Sequence, residues 1–142
     1  MKNLLFFLLP VMFFISCKKD NTSAGSTPVD KIMLDNAVVI SKGSLVFSAA
    51  DNGAGMAKIY LQEDGRYVLG LEDMDYKTVF DLGVYLSATP VYSSASLKLF
   101  SAKNFDNNIY YKLPAGINGG AYKYVIMQKP AAASPVATAA LN

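Results

Sequence analysis

From Asn36 onward the chain never sustains the i, i+3, i+4 spacing of an amphipathic helix; short apolar or alternating runs are separated by turn residues instead. Alternation with period two sends successive side chains to opposite faces of a strand, so this pattern predicts an all-β fold. The clearest unit is a hairpin made of Met56–Gln62, Glu63–Arg66 and Tyr67–Asp73. Ala57, Ile59 and Leu61 share one face of its first strand, and Tyr67, Leu69 and Leu71 share one face of its second. Asp64-Gly65 reads as a two-residue hairpin turn, because such a loop wants positive φ and glycine accepts it without strain. A following strand, Val79–Ser87, sets Phe80, Leu82, Val84 and Leu86 on a core face against Asp81, Gly83, Tyr85 and Ser87. Further strands are expected at Ser44–Ser48, Ser96–Phe100, Ile109–Leu113, Ala121–Gln128 and Val136–Leu141. Seven or eight short strands with regular turn signals predict a single antiparallel β-sandwich or barrel-like domain.

A chain of 142 residues has room for one ordinary domain once a leader and a linker are subtracted. Its 52% apolar and 17% charged content is too hydrophobic for disorder and sufficient for a core. Thirteen basic against 11 acidic residues leave a formal charge of +2, too weak a field to imply a nucleic acid or polyanionic partner.

The N-terminal segment has the build of a signal peptide: Lys2 as a basic start, an apolar run from Leu4 to Ile15, then small Ser16 and Cys17. The run is too short to cross a hydrocarbon core of about 30 Å as a helix, and Pro10 interrupts it. Phe14-Ile15-Ser16-Cys17 resembles a bacterial lipobox, with Phe14 where leucine is usual. That resemblance implies cleavage ahead of Cys17 and a thioether-linked diacylglycerol on its sulfur. Acyl chains then anchor the protein, each buried methylene contributing about 0.8 kcal/mol. The expected organisation is a leader over 1–16, a lipidated N-terminus and flexible linker over 17–42, and a β domain over 43–142. The linker reading rests on the Ser, Thr, Gly and Pro of Asp20–Asp30, which follow Lys18 and Lys19 at the lipid. The lipobox resemblance implies a bacterial cell-envelope setting, with the domain periplasmic or surface-facing.

Cys17 is the sole cysteine and the chain has no histidine. The mature domain therefore has no disulfide, no Ser-His activation and no imidazole for zinc or copper. Carboxylates, lysines, hydroxyls and tyrosines remain. Glu72, Asp73 and Asp75 follow the second hairpin strand and read as an acidic turn, either simply solvated or a weak calcium candidate. Tyr60, Tyr85 and Tyr110 fall opposite the apolar face of their strands, where tyrosines either cover a half-buried sheet or offer a binding surface to a glycan or an envelope protein.

The succession from Gly55 to Ser87, then Tyr110–Pro114, Tyr122–Met127 and a closing Ala139-Ala140-Leu141, resembles the DM13 domain of exported and extracellular proteins. The likeness runs from about Gly43 to Leu141. Its most specific piece is Asp81–Ser87, with Phe80 where the family's proline stands; Tyr111-Lys112-Leu113-Pro114 and Tyr124-Val125-Ile126 match two further pieces. The resemblance implies extracellular redox or electron-transfer chemistry through a cysteine in an Ile-Trp-Cys segment. Here that stretch is Ile126-Met127-Gln128, so Met127 takes the tryptophan position and Gln128 the cysteine position. A glutamine amide does not cycle between oxidation states. Met127 is a soft donor for haem iron or copper in principle, but core packing is the ordinary role of such a methionine.

These readings lead to one expectation and two alternatives. The expectation is a lipid-anchored binding or accessory module with no cofactor and no catalysis of its own. The alternatives are an electron-transfer protein, as the resemblance implies, and a carboxylate-dependent hydrolase.

Overall fold

Ala57 and Ile59 on one strand and Leu69 and Leu71 on the next are all fully buried, as the alternation requires. The computed structural model describes Ile32 and residues 34–142. The leader, Cys17, Lys18 and Lys19 lie outside these residues. The strands are β1 Val38–Ser44, β2 Val46–Phe47, β3 Ala54–Leu61, β4 Tyr67–Ser87, β5 Leu97–Lys112, β6 Tyr124–Gln128 and β7 Ala137–Ala140. A 3-10 turn at Gly119–Ala121, capped by the Asn118 side chain on the Gly120 N–H, precedes β6. No helix among the described residues is long and apolar enough to cross a membrane.

All pairings are antiparallel and run in the order β1-β3-β4-β6-β7-β2, with β5 on β4. The path nearly closes into a barrel. Lys42 exchanges both backbone hydrogen bonds with Asn142 at 3.0 Å, Val46 and Phe47 pair with Thr138 and Ala137, and Ser48 donates to Val136 at 2.8 Å. Residues 42–48 therefore run along the β7 segment while β1 is still paired with β3 on its other side. Gly43 makes this possible, because a Cβ there would stand 1.9 Å from the Ala140 carbonyl oxygen.

β4 is the spine of the sheet. Its first half lies between β3 and β5, and its second half between β5 and β6. The register slips by one residue at Asp73, which has φ of 51°, so the inward set changes from Leu69 and Leu71 to Met74 and Tyr76. A larger slip follows. Between the Lys77–Asn104 and Leu82–Ala102 pairs, residues 78–81 of β4 stand opposite Lys103 alone, and the strand bulges outward at this corner. Inside the barrel, Phe105, Leu82, Val84, Leu86, Val125 and Met127 complete the core. Burying each such side chain contributes about 1.5–3 kcal/mol.

Several boundaries differ from expectation. β1 begins at Val38, inside the segment read as linker, because Val38–Ser44 pairs with β3. The hairpin loop has three residues, with Gln62 N–H bonded to the Arg66 carbonyl at 2.8 Å, and Gly65 alone takes positive φ at 77°. Glu72–Asp75 is not a turn but part of a continuous β4. β5 is likewise one strand of 16 residues rather than two. Phe80 is 53% exposed because it sits in the outward corner, so the core face of that strand is Leu82, Val84 and Leu86.

Candidate functional site

On the outer face of the sheet, the pairs Lys58–Gly70 and Gly70–Tyr110 line up one row across β3, β4 and β5, with Tyr60 and Glu72 beside it. Gly70 leaves this row low. A Cβ there would lie 2.9 Å from the Tyr60 ring and 3.0 Å from the Tyr110 ring, so only glycine allows both rings to lie across the strand. They meet edge to face with centroids 6.3 Å apart. Both hydroxyls donate to Oε1 of Glu72, the Tyr110 bond measuring 3.1 Å, while Lys58 Nζ donates to Oε2 at 2.5 Å. The bulge at Asp73 directs that residue outward, and its N–H bonds the Asn108 side chain at 3.0 Å.

Burial pushes the Glu72 carboxyl up, but Lys58 and the two tyrosine hydroxyls outweigh it and hold the group below the usual carboxylate range. Tyr60 and Tyr110 are pushed up, first by burial and then by the Glu72 charge, so both remain protonated donors. The result is an ionised carboxylate with both oxygens occupied by this chain's own donors. A general acid needs a proton to give and a general base needs a lone pair facing the substrate. Glu72 holds no proton to give and already accepts three hydrogen bonds, with which it fastens three strands together.

A second carboxylate is built in the same way. Asp51, in the β2–β3 loop, accepts from Ser48 Oγ and Tyr76 OH at 2.8 Å each and from Lys129 Nζ at 3.0 Å. The Lys129 and Tyr76 bonds lower its pKa. Lys129 also lies 5.7 Å from the centroid of the Phe80 ring. This cluster joins the loop to β4 and to the end of β6.

The structure separates the residues singled out from the sequence. Tyr60 and Tyr110 come together, but Tyr60 is only 8% exposed, so it is no stacking platform. Tyr85 lies elsewhere, folded over Gly83 and packed edge to face against Tyr92 with centroids 4.8 Å apart. Asp73 and Asp75 are exposed and do not join Glu72, and among the described residues no three His, Cys, Asp or Glu side chains are grouped to hold a metal ion. Met127 is a fully buried member of the core. Gln128 is 5% exposed; its Nε2 donates to the Ala132 carbonyl at 2.5 Å, fastening the 129–135 loop, while its Oε1 has no partner among the described residues.

No protein-family model, no curated protein and no solved structure matches this chain. The site is therefore argued from geometry alone. Sequence reasoning missed Lys58, Asp51, Tyr76 and Lys129. For Lys58 a signal existed: it shares with Tyr60 the face of β3 opposite Ala57 and Ile59. For Asp51 and Lys129, 78 residues apart in sequence, none did.

One surface adjoins the Glu72 cluster through Lys58. Val38, Val39 and Ile40 at the start of β1 are 62%, 42% and 38% exposed. Beside them runs a groove of about 300 Å³ lined by Val39, Ile40, Ser41, Lys42, Lys58 and Asn142.

Proposed function

We propose that this chain is a lipid-anchored protein of the bacterial cell envelope whose β domain acts as a binding or accessory module without catalytic chemistry of its own. The observation that carries the binding role is the pair of exposed aliphatic side chains, Val39 and Ile40, that line one groove. Exposed apolar surface gathered at a groove, rather than scattered singly, is the kind that marks an interaction site. The occupied oxygens of Glu72 and Asp51 support a structural role for the two best-built acids, which weighs against the hydrolase reading. The amide at Gln128 weighs against the redox chemistry that the DM13 resemblance implies.

The anchor is carried by Cys17 at the end of the leader. Its test is metabolic labelling with palmitate followed by membrane fractionation of the native chain and Cys17→Ala. The expected result is label and membrane association in the native chain, with loss of label and either release or an uncleaved leader in the variant. A Cys17→Ala protein that stays labelled and normally processed would overturn the anchor.

A further inference from the structure

The two edges of β1 are treated differently along its length. From Lys42 onward both are paired, one to β3 and one to the β7 segment, whereas Val38–Ser41 has only β3 as a backbone partner among the described residues. Strand alternation tells which groups face the open side. Lys42 turns its N–H and C=O to Asn142, so Lys58 opposite it turns its own toward β4, as does Tyr60 two residues on. Val39, the partner of Tyr60, must then present its N–H and C=O to the open side. A one-residue register slip between Val39 and Ser41 restores the alternation that Lys42 follows.

An unpaired strand edge recruits another extended backbone, and exposed aliphatic side chains beside it set which residues that backbone carries. Here Val39 and Ile40 flank the groove, and Lys42 stands on its rim at the paired end. Lys58 is already bound to Glu72, whereas Lys42 has no acidic partner among the described residues. From this we infer that the Val38–Ser41 edge binds an extended, aliphatic segment of a partner protein as an added antiparallel strand, with an acidic residue of that segment on Lys42. The inference rests on the binding reading above and specifies its partner as a peptide strand.

The test uses the full chain, purified from membranes in mild detergent, and a labelled peptide alternating valine and threonine with one terminal glutamate. The expected result is saturable binding, with hydrogen exchange at the Val39 amide slowed at least tenfold. Val39→Pro, which removes the outward N–H together with the valine side chain on the groove, should weaken binding at least tenfold while the exchange of β3 and β4 amides is unchanged. If that variant does not fold, Lys42→Glu serves in its place: it should lose the glutamate-ended peptide and gain a lysine-ended one. No saturable binding, or binding indifferent to these substitutions, overturns the inference. A Val39 amide already protected in the free chain also overturns it, and sedimentation then tells whether a second copy or the chain's own N-terminal segment occupies the edge. An envelope protein that crosslinks equally to native chain and Val39→Pro would retire this edge while leaving the binding role standing.

Discussion

Tyr60 from β3 and Tyr110 from β5 reach across Gly70 and donate their hydroxyls to the same oxygen of Glu72 on the strand between them. A carboxylate held this way is a cross-link for the sheet. It spans the three strands beside the first register slip of β4, at Asp73.

Removing Glu72 leaves the buried Tyr60 hydroxyl without its acceptor and the half-buried Lys58 ammonium without its counter-charge. Glu72→Ala is expected to destabilise the domain by about 1–3 kcal/mol in urea denaturation. A double-mutant cycle with Lys58→Ala should show coupling, because the two share one hydrogen bond. Additive losses would mean that the pair contributes nothing beyond packing.

Stability should fall in acid. Glu72 and Asp51 both have folded pKa values below their ordinary ones of 4.5 and 3.8. Groups shifted downward contribute stability above the unfolded pKa and lose it as pH falls through the folded one. Denaturation midpoints should be flat above about pH 6 and decline below about pH 4.5. The decline should be shallower in the Glu72→Gln, Asp51→Asn double variant. An equal decline in both proteins would assign the acid sensitivity to other groups.

Closure of the barrel depends on Gly43. Gly43→Ala would set a methyl carbon 1.9 Å from the Ala140 carbonyl oxygen, so the two segments must part. The expected cost is about 3 kcal/mol, near the upper end for overpacking. Hydrogen exchange should show the loss first at Lys42 and Asn142, whose backbone bonds close the path. Protection that persists at these two amides would show that the closure tolerates a side chain.

What the sequence revealed was the periodic part. The burial of Ala57, Ile59, Leu69 and Leu71 is legible because a simple two-residue period holds there. Phe80 was misplaced because residues 78–81 bulge outward, and nothing in their composition announces a register slip. Residues 101–108 were invisible as strand because they are mostly polar, with Phe105 as the one fully buried side chain. Their ladder to β4 is a tertiary effect. Glu72, Tyr60 and Tyr110 each stand out in the sequence, but their convergence depends on the register of β3, β4 and β5. Reading all three as separate surface features missed that a buried charge needs donors.

The central claim is that the best-built polar site in this domain is a lock and not a catalyst, and the ionisation of Glu72 tests it most directly. A carbon-detected NMR titration of its side-chain carboxyl should give a midpoint below 4.5, with the Lys58 and Tyr110 resonances moving in the same step. A midpoint raised toward neutrality would give Glu72 a proton to transfer at working pH, and the account of this face as structural would be wrong.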